Sequence, residues 1–318
     1  MTRLLLLLAA IWLTSCNRQP AATVGSDAGS SVPVAAPRKP PRSLDPRFWK
    51  VWGDGHAEIA TYDLTYPRYG TPRTGLAVTI FVSEPFSWEA RVKADPGKHP
   101  DADVFPVMKM NLIEDFQTGI YDYNEQTSAF LALAETPLQP MGQLTKVSFS
   151  SQEWCGHSWA QWLFQPVGLR FNGHSYFDGE ADSAMDLPRP DGGVSEEQLF
   201  FWARGMAEPK LDPGASVDVP FLRSLQYTRH AHKPIAWTSA RLARPAADSY
   251  TAEIKDGPKI TFQVEPAAPH RILRWESTEG ERAVLVKSER SKYWQLNKPE
   301  GEAELSKLGL RRRPARTP

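Results

Sequence analysis

Apolar and polar residues alternate at every second position through much of this chain, which limits it to folds built of half-buried strands. Along 74–85, Leu76, Val78, Ile80 and Val82 fall on one face. Ile260, Phe262 and Val264 stand opposite Thr261, Gln263 and Glu265, and Val147 and Phe149 alternate with Lys146, Ser148 and Ser150. Tyr250, Ala252 and Ile254 repeat the pattern. A period of two sends successive side chains to opposite faces of a pleated strand, one buried and one wetted.

Turn residues punctuate these runs. Asn172-Gly173 predicts a turn before 174–177, and Gly280 predicts one within 278–281. Asp256-Gly257 separates two further runs, although Pro258 argues against a two-residue hairpin there. Such dipeptides tolerate positive φ, and successive hairpins build an antiparallel meander. One main helix is predicted, with Ser195 as N-cap and Gln198 as its capping-box partner. Leu199, Trp202 and Met206 share its face, and Gly205 and Pro209 mark its exit. A second helix is predicted over 302–308. Residues 181–194 hold Pro188, Pro190, Gly192 and Gly193 and read as a joint between two sheet segments. The expected fold is mainly β: an antiparallel curved sheet, half-barrel or sandwich over 46–311, with a basic tail at 312–318.

The first fifteen residues have a different logic. Arg3 precedes an apolar run from Leu4 to Leu13, followed by Thr14, Ser15 and Cys16. A helix of about ten residues spans only ~15 Å, half the hydrocarbon core of a bilayer, so the run suits a signal peptide rather than a membrane span. The ending Leu13-Thr14-Ser15-Cys16 resembles the lipobox of bacterial lipoproteins. That resemblance implies cleavage before Cys16 and acylation of that cysteine, which would tether the chain to a membrane through lipid. Asn17 is not the aspartate that retains some lipoproteins at the inner membrane, which leans the expectation towards the outer membrane, facing the periplasm. Residues 16–45 are Pro-, Ala-, Gly- and Ser-rich and read as a tether with a reach of ~30 Å.

Charge excludes one large class of partner. Lys plus Arg and Asp plus Glu are both 37, so no basic excess points to nucleic acid. With two cysteines in all and Cys16 assigned to lipid, Cys155 has no partner for a disulfide within the chain.

Three clusters could carry chemistry. Glu153, Cys155 and His157 would share one face if that segment were a strand, allowing the imidazole to activate the thiol and the carboxylate to orient it. The plainer reading is a buried or half-buried thiol. Gln152, Cys155, Gly156, Trp159 and Ala160 resemble the papain signature, but Ser158 stands where that family has its nucleophilic cysteine. His230 and His232 would likewise share a strand face and form a weak metal candidate, although Arg229 and Lys233 flank them and would repel a cation. Asp178, Glu180 and Asp182 alternate into what reads as a solvated turn. No G-x-S-x-G, phosphate-binding glycine loop or H-E-x-x-H occurs, and no cofactor is expected.

Residues 52–180 also resemble a group of uncharacterised exported bacterial proteins. The likeness is carried by 52–58, 62–69 with Arg68-Tyr69-Gly70, Ile80-Phe81-Val82, Gly119-Ile120-Tyr121 and 150–157. Members sometimes carry the label septum formation inhibitor Maf. Maf proteins themselves resemble nucleotide pyrophosphatases with an S-x-S-P-R-R start, which is missing here, so that activity is not implied. The later half resembles β-rich periplasmic domains in the style of lipoprotein carriers. The resulting expectation is an envelope lipoprotein whose sheet presents a groove to an apolar ligand, a glycan or a partner protein. A hydrolase or thiol enzyme at Cys155 and His157 is one alternative, and a carbohydrate-binding module using exposed tryptophans is another.

Overall fold

The computed structural model describes Leu44 and residues 46–312. The expected signal peptide, Cys16, nearly all of the tether and the tail beyond Arg312 lie outside the described residues.

Among the described residues, sixteen strands form one sheet. In chain order they are β1 (Ala57–Arg68), β2 (Thr71–Ser87), β3 (Val92–Lys93), β4 (Val104–Thr118), β5 (Tyr121–Ala132), β6 (Leu144–Glu153), β7 (Gly156–Gln165), β8 (Gly168–Ser175) and β9 (Ser183–Pro188). The later ones are β10 (Val194–Ser195), β11 (Ser216–Leu222), β12 (Trp237–Ala246), β13 (Ser249–Ile254), β14 (Lys259–Val264), β15 (Ile272–Ser277) and β16 (Arg282–Ser291). Three short helices accompany them: α1 (Pro46–Trp52), α2 (Leu199–Ala203) and α3 (Leu225–Ala231).

The mainly β, antiparallel character is as the alternation predicts. Strands β1 to β9 make one meander, with the two-residue-long β3 set against β2. Strands β11 to β16 make a second, and β16 pairs antiparallel with β1 from Ala57↔Ser291 to Thr65↔Arg282. The path is therefore open, ending at β9 and at β10. Residues 189–193 connect those two edges directly. The Trp237 indole on β12 reaches across and donates to the Pro188 carbonyl on β9 at 2.8 Å. The predicted joint at 181–194 is therefore corrected: 183–188 form β9, and only 189–193 link the two edges of a single sheet.

Period two decides burial, but not always on the predicted side. Val147, Phe149, Tyr250, Ala252, Ile260 and Phe262 enter the main core, alongside the fully buried Trp162, Trp202 and Trp275. On β2 the main core takes Ala77 and Phe81 instead. Val78, Ile80 and Val82 form a smaller outer cluster with Ala57, Ile59 and Leu308. That outer face is covered by a 3-10 helix over Pro299–Leu308, where the sequence predicts a short helix at 302–308. The Thr61 hydroxyl anchors the segment by donating to the Leu308 carbonyl at 2.6 Å.

Two local expectations are corrected. Asn172-Gly173 makes no turn; both residues lie inside β8, paired with Ala184 and Ser183. Glycine is needed there because a Cβ would sit 2.7 Å from the Phe171 ring, and the turn between β7 and β8 falls at Pro166-Val167. The capping box also fails to form. The Ser195 side chain caps nothing, and residues Glu196–Gln198 form a 3-10 turn. The Gln198 amide instead donates to the Glu208 carbonyl at 2.9 Å. Helix α2 is correspondingly short and is buried on most sides through Leu199, Phe201, Trp202 and Ala203, as befits an element inside the sheet's curve. Just beyond it, Arg204 forks onto Glu58 of β1 at 2.7 and 2.9 Å, both side chains being almost fully buried.

A candidate ligand-binding groove between strands β7–β9 and helix α3

Cross-strand pairing along β7 and β8 hollows the inner face of the sheet. Ser158 pairs with Ser175 and Ala160 with Gly173, so two successive pairs are small. The next inward pair, Trp162 and Phe171, is large. Small pairs beside large ones leave a space that the sheet cannot close by itself. Helix α3 roofs it rather than filling it, and the result is a cavity of about 590 Å³. Phe149, Phe171, Met185, Leu225 and Ile235 supply apolar walls.

Helix α3 has no counterpart in the sequence reading. Its N-cap is Ser224, whose hydroxyl accepts from the Tyr227 amide at 3.1 Å, and it ends with His232 in the left-handed region at φ 50°. The strand placement of His230 and His232 is therefore corrected: they belong to a helix and its cap and turn to different partners. His230 points inward, with Nδ1 2.8 Å from the Tyr66 hydroxyl and Nε2 2.7 Å from Glu125. His232 sits at the groove and pairs with Glu180.

The acidic run is a turn with Asp178 and Asp182 exposed, as the sequence predicts, and two of its carboxylates also have partners. Glu180 accepts from the Ser175 hydroxyl at 2.9 Å as well as pairing with His232. Asp182 lies 2.5 Å from Nδ1 of His174. Two histidine–carboxylate pairs thus stand at the mouth of the groove. Deeper in, Arg229 is only 8% exposed. Its Nε donates to the Ser158 hydroxyl at 3.0 Å, and its guanidinium lies 3.7 Å from the centre of the Phe177 ring.

Behind the groove lies a polar interior. Gln226 donates to Glu114 at 2.7 Å and to Glu125 at 2.8 Å. Burial works to raise Glu125, but the neighbouring His230, with Gln226 and Ser151, holds it below the ordinary carboxylate range. Glu114 is pushed well up by burial, reinforced by the charges of Glu281 and Glu125. Burial also pushes Glu197 and Glu281 up to about 7. Glu196, Glu197, Glu281 and Gln226 line a separate cavity of about 50 Å³, room for a few waters at most.

The Cys155 cluster is corrected as well. Glu153 pairs with Gly156, so Trp154 and Cys155 form the tip of the β6–β7 hairpin rather than part of a strand. The thiol is exposed, not buried. Glu153 accepts from the Cys155 amide at 2.7 Å, and its hydrogen bond and charge push the thiol pKa up, against thiolate formation. His157 is exposed with its ring 5.6 Å from that of His174. Labelling of Cys155 in the folded protein at neutral pH should therefore run to completion but several-fold more slowly than with a free model thiol. Glu153→Gln should speed it. A thiol faster than the model compound would contradict this geometry. Among the described residues the exposed tryptophans are Trp154, Trp159 and Trp294, on a hairpin tip, on β7 and in a 3-10 turn near the C-terminus.

No family model matches the chain, and no curated protein is similar to it in sequence. Among solved structures it is similar to a beta-barrel-like protein of a domain of unknown function, DUF1849, from Brucella abortus. The two share 11% identity over 75% of this chain and 99% of that one, with a TM-score of 0.40.

Proposed function

We propose that this chain is an exported, lipid-tethered envelope protein whose β domain binds an apolar ligand in the groove between β7–β9 and α3. The observation that carries the reading is the groove itself. Its volume of about 590 Å³ falls within the range of pockets that hold small ligands, and mostly apolar walls with a few placed polar groups are the usual composition of such sites. The small pairs Ser158–Ser175 and Ala160–Gly173 build the hollow into the sheet. The tether rests on the N-terminal run and Cys16, which would place the domain at a membrane surface, the outer membrane by the sorting logic of Asn17.

Two measurements test the two halves. Metabolic labelling with an alkyne fatty acid should mark the chain, and Cys16→Ala should abolish both the label and membrane retention. For the groove, the Cys16→Ala chain should take up a fluorescent fatty acid. Ala160→Phe, which fills the floor, should weaken uptake about tenfold or more while leaving the melting temperature within a few degrees. Absence of uptake together with absence of any co-purified lipid would overturn the groove reading.

A further inference from the structure

Arg229 has chemistry that an apolar groove does not need. We propose that the groove selects a single-chain amphiphile with an anionic head, a carboxylate or a phosphate monoester, and that Arg229 is the group that receives the head. This rests on the groove reading above and adds the ligand's charge to it.

The argument starts from the cost of a buried cation. A guanidinium carries five N–H donors and stays charged at any physiological pH. Removing it from water is costly unless a counter-charge and hydrogen bonds compensate. Elsewhere a counter-charge is supplied: Arg204, 3% exposed as a whole residue, sits bidentate on Glu58, although its own Nε has no partner. Arg223, partly buried, sits on Glu196 at 2.7 Å. Arg229 is treated differently. Its one hydrogen bond is to a neutral hydroxyl, that of Ser158. Its Nη1 is buried with no hydrogen-bond partner, and among the described residues it forms no ion pair with a carboxylate.

The two carboxylates that line the groove are already engaged. Glu180 holds His232 and Ser175, and Asp182 holds His174. Lys233 also lines the groove and adds a second positive group. Phe177 stacks on the guanidinium and fixes its plane. An arginine fork presents parallel donors that match a carboxylate or phosphate edge. Apolar walls beside it make that pairing stronger than it would be in water. A ligand whose tail lies along Phe149, Phe171 and Ile235 while its head meets Arg229 satisfies both halves of the site.

The test compares ligands of one chain length and different heads: dodecanoate, dodecyl phosphate, dodecanol and dodecylamine. Binding to the full Cys16→Ala chain is measured by displacement of a fluorescent probe. One or both of the anions should bind about ten- to a hundredfold more tightly than dodecanol, the size of a charge-assisted hydrogen bond in a dry site. The carboxylate and phosphate arms tell which head is preferred. Arg229→Met should erase the preference while leaving dodecanol binding intact, and Arg229→Lys should restore part of it. The comparison on the parent chain stands even if Arg229→Met fails to fold. Equal binding of dodecanol and both anions, or a preference for dodecylamine, overturns the anionic-head inference and leaves the groove reading in place. Binding of none of the four overturns both.

Discussion

Arg204→Met is expected to destabilise the protein by about 3–5 kcal/mol, the cost of leaving one member of a buried ion pair without the other. Arg204 and Glu58 are 1% and 3% exposed and are joined by two hydrogen bonds. The guanidinium also donates to the Pro269 carbonyl at 3.0 Å and lies between the rings of Trp52 and Phe81. The pair therefore ties together α1, β1, the segment after α2 and the β14–β15 turn. Removing the cation strands the Glu58 carboxylate at a position almost closed to solvent. For a domain of this size the melting temperature should fall by about 10 °C. Glu58→Gln should cost a similar amount, because it strands the arginine instead. The double substitution Arg204→Met with Glu58→Leu should be far milder than the sum of the singles, since an apolar replacement of a buried pair is often nearly neutral. Thermal or urea melts of the three variants decide the matter. A loss below about 1 kcal/mol for either single variant would show that the pair is not the tie described here.

Stability should also fall as the pH rises from about 5 to 8. Glu197 is 4% exposed and burial pushes it from 4.5 up to about 7; Glu281 moves in the same direction to about 7. A group with a raised folded pKa binds its proton more tightly in the native state than in the unfolded chain. Its contribution is complete below about pH 4.5 and is lost as the pH passes through about 7. At 1.36 kcal/mol per unit, the Glu197 shift alone corresponds to about 3 kcal/mol across that window. Glu114 and Glu281 face the same interior, and the charge of Glu281 works to raise Glu114 further. Glu125 works the other way: its pKa is depressed by His230, so its contribution is lost as the pH falls below the ordinary carboxylate range. Unfolding midpoints measured from pH 4 to pH 8.5 should therefore peak on the acid side of neutrality. Glu197→Gln should flatten the alkaline limb. A midpoint that climbs between pH 5 and pH 8 would contradict the protonated interior.

Local pattern and tertiary placement divide cleanly along the chain. The runs at 147–149, 250–254 and 260–264 read as strands and are strands, and the turn at 278–281 joins β15 to β16 as predicted. On β2 the period is right but the inner side is not. Val78, Ile80 and Val82 face outward because the distant segment Pro299–Leu308 covers them. Asn172-Gly173 suits a turn by its chemistry, yet its glycine serves the close approach of Phe171. Helix α3 left little trace because, apart from Leu225, the residues it turns inward are Gln226, Arg229 and His230, which make no apolar stripe.

The groove shows the same division. Of the two local clusters legible in the sequence, only His232 of the histidine pair and Glu180 and Asp182 of the acidic run line it. Their meeting joins residues 52 positions apart, Glu180 and His232, which no local spacing announces. Arg229 appeared in the sequence only as a flanking charge that would discourage a metal. Its burial beside Phe177 and Ser158 gives it a role.

Sequence by itself determined the strand content, the antiparallel meanders and the expectation of a lipid tether at Cys16. Each follows from nearest-neighbour chemistry: alternation, turn residues, and a short apolar run ending in a cysteine. Tertiary structure alone decided which face of each strand is inside, where α3 rests and which charges find partners. Those outcomes depend on contacts between residues far apart in the chain. Desolvation and pairing at such contacts, unlike local propensity, have no period to read.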